Sequence, residues 1–194
     1  MNKIYAPLIL ALVLIISSCK SKNTDVETAD AGLDTVHNFP VVDFIQNDIN
    51  DVKKVPYFIY KITTLNKKKD SSNLSIDEFG KYAEYFLTFD INKASIKKTL
   101  KESSFNDQTT KSNTLVYTPL TTDNEIRNIT VLLDQSTNSL KNIFFQIVKQ
   151  SKDTTIIEHL QWKAKKSFRI TRIKQTKNYD SEESNYISWN DVTN

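Results

Sequence analysis

The feature that most restricts the fold is a series of alternating segments between residues 102 and 177. Residues 127–134 set Ile129, Val131 and Leu133 against polar neighbours, and residues 140–150 do the same with Ile143, Phe145 and Ile147. A period of two marks a strand with one buried face, because successive side chains point to opposite sides of the backbone. Phe144 and Val148 make the second face of 140–150 partly apolar as well. Residues 102–107, 114–120, 155–163 and 167–177 extend the series. The connections are polar and short, so neighbouring strands are expected to pair antiparallel as a meander. Residues 57–65, β-branched and aromatic, add a strand ahead of the series, and 186–189 return as an edge strand behind it.

A sheet with one apolar face needs a cover. After Pro40, Val41, Ile45, Ile49 and Val52 recur at helical spacing, which predicts a short amphipathic helix ending near Lys53. Ser75-Ile76-Asp77-Glu78 is a capping box: the serine hydroxyl accepts from the Glu78 N–H while the glutamate reaches back. The helix it opens carries Phe79, Tyr82, Ala83, Phe86 and Leu87 on one side. Asp90 is read as the cap of a weaker helix reaching Leu100, and the lysine-rich 66–73 as a polar loop. The expected fold is α+β, with N-terminal short helices packed on an antiparallel β-meander of about five to seven strands.

The N-terminus carries a different kind of signal. Lys3 precedes an uncharged run, residues 4–16, broken only by Pro7. That run is shorter than the roughly 20 residues needed to cross a bilayer and fits the apolar region of a secretory signal. Ile16-Ser17-Ser18-Cys19 then resembles the bacterial lipoprotein box. The resemblance implies cleavage before Cys19 and a diacylglyceryl thioether on its sulfur. Cys19 is the single cysteine, so no intramolecular disulfide competes for it. Two or more acyl chains anchor stably where one is marginal. The organisation expected is a signal peptide over 1–18, a tether over 19–38 and one domain over 39–194. A wider likeness runs through Lys101–Thr110, Thr114–Tyr117, Leu160-Gln161-Trp162-Lys163 and Ser167-Phe168-Arg169-Ile170, which resemble a group of uncharacterised lipoproteins of the Bacteroidota type. That group carries no assigned activity. The likeness implies an envelope location and transfers no site.

Composition removes several function classes. With 2 glycines there is no glycine-rich phosphate loop. With 26 basic and 23 acidic residues the chain lacks the charge of a nucleic-acid binder. The 2 histidines, His37 and His159, are far apart and have no second cysteine to join them, so no zinc or iron ligand set is visible. Glu158 and His159 are adjacent on a predicted strand and therefore face opposite ways. The sharpest local feature is a cluster of Lys163, Lys165, Lys166, Arg169, Arg172, Lys174 and Lys177 on one hairpin. Its functional reading is contact with an anionic partner; its structural reading is a solvated hairpin kept from aggregating by its lysines.

The expectation is a non-catalytic binding or structural module. It would be lipid-anchored in the cell envelope, at the outer membrane facing the periplasm, and would need no cofactor. Its partners would be the membrane through the lipid anchor and an envelope protein or anionic envelope polymer, not nucleic acid. A carrier or chaperone of a lipid or other apolar ligand is the alternative, and a hydrolase the third reading.

Overall fold

The computed structural model describes residues 39–190. The signal segment 1–18, Cys19 and the tether through residue 38 lie outside the described residues, as does His37. The chain runs α1 (Val41–Lys54), β1 (Tyr60–Leu65), β2 (Lys68–Asn73), α2 (Ile76–Ala83), a 3₁₀ segment (Glu84–Thr88) and α3 (Ala94–Lys97). Seven strands follow: β3 (Leu100–Asp107), β4 (Ser112–Pro119), β5 (Ile126–Asp134), β6 (Leu140–Gln150), β7 (Thr154–Lys163), β8 (Ser167–Thr176) and β9 (Asp180–Ser188). All nine strands form one antiparallel sheet in the order β2-β1-β9-β8-β7-β6-β5-β4-β3. The meander is therefore present, but the molecule is predominantly β, with more strands than five to seven and only a few short helices.

Two strands account for the difference. Asn66 and Lys67 both take positive φ, 46° and 73°. That is the twist of a two-residue hairpin turn that continues the strand pair, so residues 68–73 form β2 on β1 instead of a loop. All six β2 residues are exposed. An edge strand that buries nothing shows no apolar period, and its lysines discourage further pairing. The acidic stretch after residue 178 becomes β9, which is an interior strand between β8 and β1 and not a short edge. Arg172 stands opposite Glu183 and Phe168 opposite Ile187, so both charge and packing favour that register. The weak helix also shortens. Asp90 accepts from the Asn92 N–H at 2.9 Å, closing a turn of its own, and α3 starts only at Ala94.

The helices cover one face. On it, the cross-strand row Val131–Ile143–Trp162–Phe168–Ile187 is followed by Ile129–Phe145–Leu160–Ile170, and all of these side chains are buried. Val41, Ile45, Ile49 and Val52 from α1, Phe79 and Ala83 from α2, and Phe86 close over them. The predicted capping box forms: Glu78 N–H donates to Ser75 Oγ at 3.3 Å and Ser75 N–H to Glu78 Oε2 at 3.0 Å.

One buried carboxylate ties the layers together. Asp48 of α1 accepts from Trp162 Nε1 at 2.9 Å and from the Lys165 backbone N–H at 2.8 Å. Asp48→Ala leaves both donors without their acceptor and is expected to cost roughly 2–4 kcal/mol. Asp48→Asn keeps an acceptor oxygen and should lose less. Urea denaturation of the two variants checks the order; equal losses would mean the clamp is not what holds α1.

Candidate functional site

The basic hairpin does not present one patch. β7 and β8 do pair as predicted, but alternation divides the seven side chains. Lys163 and Arg169 lie on the face away from the helices, while Arg172 and Lys174 lie on the same face as Ile170. Lys165 and Lys166 occupy the connecting turn and are exposed, and Lys177 follows the end of β8. Arg172 pairs with Glu158 at 2.7 Å and Lys177 with Asp153 at 2.9 Å.

Glu158 is the most deeply buried charge of the described residues, at 1% exposure. Its Oε1 accepts from Arg172 Nε at 2.8 Å, and its Oε2 accepts from Tyr85 Oη at 2.5 Å and Lys149 Nζ at 3.1 Å. Lys149 also donates to Tyr85 Oη at 2.9 Å. Beside this quartet a cleft of about 550 Å³ opens between the 3₁₀ segment and the β4–β5 connection, with Tyr85 and Lys149 in its wall. The electrostatics decide what the quartet can do. Burial raises the Glu158 carboxyl, but the bonds from Tyr85, Arg172 and Lys149 outweigh it and leave it below the ordinary value. Burial and then the bond to Glu158 hold the Tyr85 phenol above its ordinary value. Burial works against the charge on Lys149, but its contacts with Tyr85 and Glu158 win and raise it. Each group is thus driven further into the state it already holds at neutral pH, which is the opposite of the tuning acid–base catalysis needs. The quartet is an ion cluster that closes one end of the core.

The opposite face of the sheet has another character. No described helix lies on it. Cross-strand rows on it include Thr130–Phe144–Gln161–Arg169 and Asn128–Gln146–His159–Thr171, flanked by the apolar row Val148–Ile157–Ile173. Between the first two sits a hollow of about 280 Å³, and a second of about 360 Å³ continues towards β9 and β1, with Gln161 and Arg169 common to both. Register shifts at both ends of β5 bracket this region, and such bulges sharpen the local twist. Thr130 Oγ1 donates to Asn128 Oδ1 at 2.9 Å, which leaves the Asn128 amide nitrogen as an outward donor. Thr171 and Ser184 hydroxyls meet at 3.0 Å. The Arg169 guanidinium lies 4.9 Å over the Tyr186 ring and has no acidic partner among the described residues. Phe144 is 36% exposed. Gln146 and His159 are exposed, Gln161 is half-buried, and none of the three side chains bonds another described residue.

His159 therefore sits on this open face while Glu158 points into the core, as their adjacency on a strand requires. Among the described residues no group of three or more His, Cys, Asp or Glu side chains is placed to hold a metal ion, and no helix is long and apolar enough to cross a membrane. Phe144 is legible in the sequence as part of a second, partly apolar face, whereas Asn128, Thr130, Gln146, Gln161 and Thr171 are not singled out there as site residues. The signal was the parity opposite the core one on β5 to β8, where Asn, Thr, Gln and His stand among apolar Phe144, Val148, Ile157 and Ile173 and the cations Lys163 and Arg169. Comparison of the chain with family models, with curated proteins and with solved structures finds no match.

Proposed function

We propose that this chain is a non-catalytic binding module of the cell envelope, held at the membrane by lipid on Cys19, that engages its partner through the open face of its sheet. The observation that carries the binding half is the pair of contiguous hollows on that face, lined by amides, hydroxyls, Phe144, His159 and Arg169. The Gln146, His159 and Gln161 side chains make no bond to another described residue, so a ligand that pairs with them displaces water and no protein partner. The anchoring half rests on Ile16-Ser17-Ser18-Cys19 and the apolar run before it. Attachment by two or more acyl chains is by itself sufficient for membrane residence.

The carrier reading finds less support. A carrier of this layout would keep space between helices and sheet, and that space is filled by Phe79, Phe86, Phe145, Trp162 and Phe168, all at most 2% exposed. A hydrolase would need a poised acid, base or nucleophile, and the charge states of the Glu158 quartet run the other way.

Intact-mass analysis of the protein from its native envelope tests the anchor. The expected product begins at Cys19 and carries added acyl mass. It partitions into detergent, while Cys19→Ser stays in the aqueous phase or accumulates as precursor. A bare thiol, or a chain that retains residues 1–18, would overturn the anchored reading.

A further inference from the structure

Resting on the reading of the open face as the binding surface, we infer that its occupant is a glycan chain bearing carboxylates, laid across β5 to β8 with Arg169 as the anion anchor. A sheet face offers side chains and no unpaired backbone. Extended peptides add to sheet edges, where backbone groups are available, and the edges here are β2 and β3, not the face of β5 to β8. The face must therefore be read by what its side chains can bond. Gln146 and Gln161 each present a planar amide that donates and accepts, as adjacent sugar hydroxyls also do. An acyl chain here would bury those amides without partners, which costs free energy at each one. The exposed ring of Phe144 is an apolar plate among them, suited to the C–H face of a pyranose.

Charge selects the acidic class. The residues lining both hollows include no carboxylate, whereas Arg169 stands where the two hollows meet. Its planar fork matches a carboxylate with two parallel bonds, and the Tyr186 ring beneath it fixes the plane of that fork. Dimensions agree. Strands are about 4.8 Å apart, so β5 to β8 spans about 14 Å, and the two side-chain rows are separated by about 7 Å. That is a track one sugar ring wide and about three rings long.

The test uses the full chain in detergent and three acidic probes (polygalacturonate, alginate and hyaluronate), with dextran, polyglutamate and phosphatidylglycerol vesicles as contrasts. At least one acidic glycan is expected to bind, and dextran at least tenfold more weakly. Arg169→Gln should weaken the acidic glycan at least tenfold, and Phe144→Ala and Gln161→Ala several-fold, with thermal melting lowered by no more than about 4 °C in each. Binding of polyglutamate or vesicles in preference to every glycan overturns the inference, as does glycan binding that Arg169→Gln leaves intact. A photo-crosslinker at Gln146, used in the native envelope, separates this from the reading beneath it. Adducts without glycan binding remove the glycan alone, whereas no adducts and no glycan binding remove the open face as a binding surface.

Discussion

Phe86→Ala is expected to lower the unfolding free energy by about 3–5 kcal/mol, the range for truncating a fully buried aromatic. Phe86 has 0% exposure, and its ring meets those of Phe145, Trp162 and Phe168 at centroid distances of 6.0, 5.1 and 5.2 Å, all edge-on. It sits in the 3₁₀ segment yet contacts side chains of β6, β7 and β8, so it is the point where the helical layer keys into the sheet. Truncation removes transfer free energy, edge-to-face attraction and contacts on three strands together. The cavity cannot close readily, because the surrounding rings are held by strands already paired on both sides. Phe144→Ala is the matched control. It removes the same atoms from β6 on the open face and should cost under about 1 kcal/mol. Urea denaturation of the two variants decides the matter. Similar losses would mean that the helices do not seal the core through Phe86.

The second large effect concerns Glu158. Arg172→Met removes every partner of Glu158 Oε1 while the carboxylate stays in the core, and breaking a buried pair from one side costs about 3–5 kcal/mol. Arg172 is itself 47% exposed, so solvent screening places the expected loss nearer 2–3 kcal/mol. Adding Glu158→Met should recover most of that loss, since the carboxylate no longer needs a cation and Lys149, 39% exposed, can turn to water. Recovery in the double variant is the diagnostic, and strictly additive losses would show the two residues to be uncoupled.

The same cluster sets an acid limit. The folded Glu158 carboxyl lies below its ordinary value of 4.5, so its contribution is fully present above that pH. It is lost as pH falls through the lower folded value. Stability should therefore drop on acidification below about pH 4.5 and drop less steeply in the Glu158→Met/Arg172→Met variant. Asp134, held down to about 2 by the Ser136 and Thr137 donors, also loses stabilisation through that window because its unfolded carboxyl takes up a proton first. It does so equally in both proteins, so the difference between their slopes belongs to Glu158. Thermal melts between pH 3 and 7 compare the two slopes. Parallel curves would remove Glu158 from the account.

Legibility followed the range of the interactions involved. The start of α2 was readable because a capping box is a contact between residues three apart. β5 to β8 were readable because burial on one face writes a period of two into each strand separately. β2 was not, since an exposed edge strand leaves no apolar trace, and its existence depends on the backbone of Asn66 and Lys67. The place of β9 was not readable either. Its partner β1 lies more than a hundred residues earlier, and no local pattern names a partner that distant. Nothing local to α1 distinguishes Asp48 from its other polar residues, and only the approach of Trp162 and the Lys165 N–H makes it a clamp.

The open face shows the same division. Alternation told which residues of β5 to β8 share a side, but not that the side stays clear of helices or that its neighbouring strands bring Arg169 over Tyr186. The basic hairpin was legible as a hairpin and not as separate charges, because charge counts along a chain ignore the two-sidedness of a strand. By itself the sequence determined the strand periodicity, the capped helix and the residues that resemble a lipoprotein signal, each encoded within a few neighbouring positions. Tertiary structure alone decided which strands adjoin, which face the helices cover, and which charges are neutralised by a partner. Those outcomes depend on pairings between segments far apart in the chain, where chain connectivity and competition for one buried face select among arrangements that every segment, taken singly, would permit.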